Sequence, residues 1–255
     1  LAPKPELIAK LKEHDIVVIP SIGAPKHAKK VAGWGADAVM IQGGEGGGHT
    51  GAVPTTLLLP TVLDAVDIPV IAAGGFFDGR GLAAALSYGA AGIGMGTRFL
   101  LTQESRVPDA VKQRYLEADL NGTIVTAKVD GMPHRMLRTP FVEQVEETST
   151  IKRMGPTLRR TREFKKMSGM SWPQLAKDGY QMRKAQGRTL NQMALAANTP
   201  MMLKAGLVEG DTNAGVLASG QVVGVIDELP TCDELITRVV TQAAAELRRT
   251  QSYLI

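Results

Sequence analysis

Cysteine is almost absent from this chain, and that removes one class of protein. Cys232 is the only cysteine in 255 residues, so no internal disulfide forms and a disulfide-stapled secreted domain is excluded. Aromatic residues make up only 4%. The core must therefore rest on aliphatic side chains and Met, and stacking platforms for single-stranded nucleic acid are disfavoured. No uninterrupted apolar run reaches the roughly 18 residues of a membrane helix, and no signal-peptide pattern opens the chain. These absences predict a cytoplasmic protein with no membrane and no nucleic-acid partner.

Charge is modest in total but uneven. The formal net charge is +4. Residues 150 to 190 carry eleven Lys and Arg against Glu163 and Asp178, a local +9, which leaves −5 for the rest. A block of that sign suits a polyanion, whether nucleic acid, a membrane surface or a phosphate-rich small molecule such as coenzyme A, and its plainer explanation is a solvated helical face.

What the chain does have is glycine at strand ends. The run from Ile41 to Gly51 holds six glycines and His49, directly after the apolar segment Ala36–Met40. Gly74-Gly75 closes the apolar run Pro69–Ala73, and Gly96-Thr97 closes Ala91–Met95. Glycine lets backbone approach a flat or charged group closely. A hydroxyl and backbone N–H groups beside such turns suit a phosphate. The histidine at the rim suits proton transfer. As a turn-former alone, each loop would be unremarkable; three at regular spacing point to one site.

The spacing also predicts the fold. Ile16–Ile19, Ala38–Ile41, Pro69–Ala73 and Ala91–Met95 read as buried parallel strands, with helices over 6–13, 25–34, 57–66 and 81–88. Four βα units fit a (β/α)₈ barrel, whose active site lies at the C-terminal ends of its strands. The first βα turn lacks a dinucleotide fingerprint, which disfavours the open doubly wound alternative. Four units cannot close a barrel, so the expectation is that the N-terminal half, about 100 residues, is absent from this chain. Residues 1–107 then hold the last four strands with the cofactor loops, and 108–255 form a helical, substrate-covering region. Within the latter, Thr123–Val129 reads as a strand, 130–133 as a turn, 156–202 as helical, and Thr231–Thr250 as a helix starting near Thr231 or Asp233. No cluster of His, Cys, Asp or Glu has metal-ligand spacing, so no metal is expected.

These residues carry a resemblance. Gln42-Gly-Gly-Glu45-Gly-Gly47-Gly48-His49, Ala72-Ala-Gly74-Gly75-Phe76 and Gly94-Met-Gly96-Thr97-Arg98-Phe99 resemble the nitronate monooxygenase (2-nitropropane dioxygenase) family of FMN-dependent barrels. The match extends to Gly220–Gly224. Val129–Arg135 and Ala196–Met201 add a closer likeness to actinobacterial flavoproteins of steroid C/D-ring breakdown. The resemblance implies FMN as cofactor and dehydrogenation of a bicyclic hydroxy-oxo-indane carboxyl-CoA thioester; oxidation of alkyl nitronates with O₂ is the alternative. A basic phosphate- or RNA-binding module without catalysis is a third reading.

By the same resemblance, Gly47 and Gly48 lie against the flavin, and Gly74, Gly75, Gly96 and Thr97 hold its phosphate. Gln42 and Ser21 contact the ring or ribityl chain. His49 faces the reactive side as base or as hydrogen-bond donor, with capping of its own loop as the plain alternative. Glu45 orients His49 or caps a helix. His134, Arg135, Arg159 and Arg160 are candidate contacts to the acyl-CoA substrate. The electron acceptor stays open, and a homodimer is a permitted assembly.

Overall fold

The computed structural model describes residues 3–148, 171, 198–213 and 215–253. The chain forms two compact units, Leu1–Ser105 with Gly220–Ile255, and Arg106–Ser219. Among the described residues, no helix is long and apolar enough to cross a membrane.

The first unit alternates helix and strand. Its elements are α1 (Pro5–Lys12), β1 (Ser21–Ile22), α2 (Pro25–Gly33), β2 (Val39–Gln42), the two-residue extended β3 (Gly48–His49), α3 (Thr55–Leu63), β4 (Val70–Ala73), α4 (Gly79–Tyr88), β5 (Gly92–Gly94) and α5 (Thr97–Leu100). Strands β1, β2, β4 and β5 form one parallel sheet in that order. Its register pairs Ile22 with Ile41, Ile41 with Ala72, and Ala72 with Ile93. Val39, Ile41, Val70 and Ala72 are fully buried on one face, against Val31, Leu58, Leu59 and Val62 of the helices. Parallel strands covered by crossover helices produce this apolar pattern.

Two helices show how local sequence fixes ends. Asp78 caps α4 by accepting from the Arg80 and Gly81 amides, and Gly89 ends it with φ +101°, the left-handed conformation that favours glycine. The terminal helix, which we label α9 (Cys232–Gln251), opens on a capping box between Thr231 and Glu234 and buries Leu235, Val239 and Ala243. That stripe lies on one helical face.

The run Ile16–Ile19 departs from the expected strand. The ladder starts only at Ser21, paired with Met40. Ile16, Val17 and Ile19 are exposed, and only Val18 is buried. Pro20 has no N–H to donate to a ladder. Asp37 instead holds this segment: its carboxylate accepts from the Val18 amide at 2.7 Å and from Lys12 Nζ at 2.6 Å, and its own amide donates to the Val18 carbonyl at 3.0 Å.

The Lys12 ammonium, followed by the Val18 amide, holds the Asp37 carboxyl below its ordinary value. A carboxylate with a depressed folded pKa contributes stability above the unfolded value near 4, and loses it as pH falls through the folded value. Asp37→Asn is therefore expected to lower the melting temperature at pH 7, and the gap to wild type should close as pH falls below about 4. A pH-independent gap would remove the ionic contribution.

In the second unit, α6 (Asp109–Leu116) is followed by the antiparallel pair β6 (Thr123–Thr126) and β7 (His134–Leu137), then α7 (Pro140–Glu147) and α8 (Asn198–Leu203). Tyr115 is fully buried and donates its hydroxyl proton to the Ala218 carbonyl at 2.8 Å. Met136, Val142 and Val216 are fully buried in one apolar cluster with Val129 and Met202. Most of the helical reading over 156–202 lies outside the described residues.

Candidate active site

The glycine-rich loop leaves the sheet at Gln42, and that side chain fastens it. Gln42 Nε2 donates to the carbonyls of Gly47 at 3.1 Å and His49 at 2.9 Å. Thr50 Oγ1 donates to the Gly43 carbonyl at 3.1 Å. The Glu45 carboxylate accepts from the Thr55 amide at 3.0 Å and from Thr55 Oγ1 at 2.8 Å. Glu45 therefore caps α3, one of the two roles open to it in the sequence. A negative group at that helix end also complements the helix dipole.

The glycines of the loop divide into two kinds. A Cβ on Gly43 would lie 2.0 Å from Thr55 Oγ1, and one on Gly46 would lie 2.6 Å from the Gln42 side chain. Those two make room for the protein itself. A Cβ on Gly48 or Gly51 of the loop, or on Gly96 after β5, would meet nothing within 4 Å. Those three border open space, where a ligand can approach the backbone.

Ser21, Gln42, Gly47 and His49 come together around a cavity of about 710 Å³. Its other walls include Val17 and Ile19, two of the exposed apolar residues described above. His49 is exposed there. Gly74, Gly75, Gly96 and Thr97 are not part of that wall. Gly74 and Gly75 turn the chain after β4 with φ +97° and +85°, and the Gly74 carbonyl accepts from Thr55 Oγ1 at 2.9 Å. Thr97 is buried at the start of α5, and its Oγ1 accepts from the Gly220 amide at 2.8 Å. The Gln221 amide in turn donates to the Glu45 carbonyl at 2.9 Å.

The remaining candidates belong to the second unit. His134 is buried, with Nδ1 3.3 Å from Asp130 Oδ2. The same oxygen accepts from Thr199 Oγ1 at 3.0 Å, and Asp130 Oδ1 accepts from the Met132 amide at 3.0 Å. Arg135 Nη1 donates to Thr123 Oγ1 at 3.0 Å. Arg159 and Arg160, with nearly all of the basic block, lie outside the described residues. Sequence reading missed Asp130 as partner of His134, Thr199 as partner of Asp130, and Gly220 as partner of Thr97. Thr199 is 69 residues from Asp130, and Gly220 is 123 from Thr97; no local pattern links them.

Comparison with known proteins fits this geometry. Residues 1–242 match the nitronate monooxygenase family model. A curated protein of Rhodococcus jostii (strain RHA1), named (3aS,4S,5R,7aS)-5-hydroxy-7a-methyl-1-oxo-octahydro-1H-indene-4-carboxyl-CoA dehydrogenase, is 66% identical over 95% of this chain and 69% of its own length. Its namesake from Mycobacterium tuberculosis (strain ATCC 25618 / H37Rv) is 64% identical over 97% of this chain and 71% of its own. Among solved structures, FabK from Thermotoga maritima is similar at a TM-score of 0.74 and 32% identity, covering 98% of this chain and 68% of that one. Nitroalkane oxidase from Streptomyces ansochromogenes gives 0.69 at 28% identity, covering 99% and 63%. The four-stranded sheet is thus part of a TIM-barrel fold.

Proposed function

Since the chain belongs to the nitronate monooxygenase family, whose members are flavin-dependent, we propose that it carries the flavin site of an FMN-dependent acyl-CoA dehydrogenase. Its substrate is a hydroxy-methyl-oxo-octahydroindene carboxyl-CoA thioester, an intermediate of steroid ring degradation. The observation that carries this reading is the 66% identity, over 95% of this chain, to a dehydrogenase so named.

The residues fit the cofactor. A flat ring needs bare backbone, and Gly51 offers it in the wall of a cavity of about 710 Å³ that Gly47 also lines. A phosphate needs backbone amides and a hydroxyl, and Gly74, Gly75, Gly96 and Thr97 offer these at two neighbouring strand ends. Ser21 borders the same cavity. Gln42 acts at one remove, because its amide nitrogen is committed to the loop.

When bound, the flavin supplies a two-electron acceptor. The chain's own residues handle position and protons. A thioester acidifies its α C–H bond. His49, at the cavity wall, is placed to remove that proton as general base, while the β-hydrogen departs as hydride. The product is the α,β-unsaturated thioester. In the second unit, Asp130 fixes the orientation of His134, which we assign with Arg135 to the acyl-CoA substrate.

Incubating the flavin-loaded full-length protein with the saturated thioester and an artificial acceptor is expected to yield a CoA product lighter by two hydrogens, read by mass spectrometry. Unchanged thioester, with oxygen uptake on an alkyl nitronate, would replace this reading with nitronate oxidation.

A further inference from the structure

We propose that Gly220 and Gln221 are positioning residues for the cofactor's phosphate, acting through Thr97 and the root of the His49 loop. The inference rests on the flavin reading above and adds two residues from a distant part of the chain.

Thr97 is only 9% exposed, and its Oγ1 accepts from the Gly220 amide at 2.8 Å. A hydroxyl has one proton to donate and lone pairs to accept with. Alone, its rotor can turn the proton or a lone pair toward a neighbour. With a lone pair held by a backbone N–H, the proton is directed away from Gly220. Thr97 is thereby set as a donor, the sense an anion requires.

The next residue ties down the other loop. The Gln221 amide donates to the Glu45 carbonyl at 2.9 Å, and the Glu45 carboxylate caps α3 through Thr55. One turn therefore clasps both the Thr97 strand end and the stem of the loop that carries His49. Glycine is needed at 220 for space rather than conformation. Its φ is −74°, which any residue adopts. A Cβ there would lie 3.2 Å from the Glu45 carbonyl oxygen, 3.3 Å from Thr97 Oγ1 and 3.4 Å from the Gly47 amide. Two of these neighbours are backbone, so the Thr97 hydroxyl must give by a few tenths of an ångström, enough to misalign a hydrogen bond.

The test compares FMN with riboflavin, which lacks the phosphate, on the full-length apoprotein by quenching of flavin fluorescence. Gly220→Ala is expected to weaken FMN about tenfold and to leave riboflavin nearly unchanged, the loss expected for a misplaced hydrogen bond to a charged group. Thr97→Val should match it, Thr97→Ser should retain tight binding, and the Gly220→Ala/Thr97→Val double variant should bind no more weakly than Thr97→Val. Equal losses for both flavins, additive losses in the double variant, or wild-type FMN affinity in Gly220→Ala would each overturn the proposal. Should Gly220→Ala fail to fold, hydrogen exchange on the wild type decides: FMN, and not riboflavin, should slow exchange at the Gly220 and Gln221 amides. A wild-type protein that binds neither flavin defeats the flavin reading itself, a separate outcome.

Discussion

His49→Ala is expected to slow reduction of the bound flavin by the acyl-CoA about 10²–10⁴-fold, the range for loss of a general base, while the flavin remains bound. The loop should survive the change because it is fastened through its backbone. Gln42 Nε2 donates to the Gly47 and His49 carbonyls, and Glu45 anchors the loop to α3. Anaerobic rapid mixing, following the visible flavin band, reads the rate. His49→Gln separates the two roles open to the imidazole. A glutamine amide can donate a hydrogen bond to a substrate carbonyl, yet it cannot take a proton near neutral pH. If His49 is the base, Gln should be as slow as Ala. Substantial recovery in Gln would make it an orienting donor. Near wild-type reduction by the Ala variant would remove His49 from the chemistry.

The second large effect concerns stability. Gly43→Ala is expected to cost roughly 3 kcal/mol, at the upper end for overpacking a tight site. The new methyl would lie 2.0 Å from Thr55 Oγ1 and 2.6 Å from both the Thr55 amide nitrogen and Glu45 Oε2. Truncating Thr55 as well should recover only part of the loss, because the backbone nitrogen remains in the way. Gly51→Ala is the matched control. Its Cβ would meet nothing within 4 Å, so its unfolding free energy should stay within about 0.5 kcal/mol of wild type. Urea denaturation of the three variants reads the difference. Equal effects at positions 43 and 51 would mean that the loop does not pack on α3 as described.

The contrast between Gly43 and Gly51 also marks what sequence reading can reach. That six glycines follow a strand is visible in the chain, and so is the expectation of a tight loop. Which glycine makes room for Thr55 and which borders open space depends on where α3 lies, and no pattern along the chain encodes that. Helix α9 was legible from end to end, because its start signal (Thr231 with Glu234) and its buried stripe (Leu235, Val239, Ala243) are local. Strands β4 and β5 were legible because a glycine pair or Gly-Thr closes each apolar run.

Ile16–Ile19 misled for a physical reason. A continuous apolar run reads as a buried strand whether or not its two sides are covered. Here Pro20 and the Asp37 clasp delay the ladder to Ser21, and three of the four side chains are exposed. The flavin-loop resemblance assigned Ser21, Gln42, Gly47 and His49 to one ligand, and in the structure they line one cavity. It gave no hint of the Asp130–Thr199 support behind His134 or of the Gly220 clasp on Thr97. Those contacts join segments that only the folded chain brings together.

An anaerobic titration of the full-length, flavin-loaded protein with the saturated hydroxyindane carboxyl-CoA, followed by the visible flavin band, tests the central claim most directly. The account predicts that the band bleaches as the thioester is added, because electrons pass from the acyl-CoA to the flavin beside His49. A band that stays oxidised at saturating thioester, in a protein that consumes oxygen with an alkyl nitronate, would contradict it.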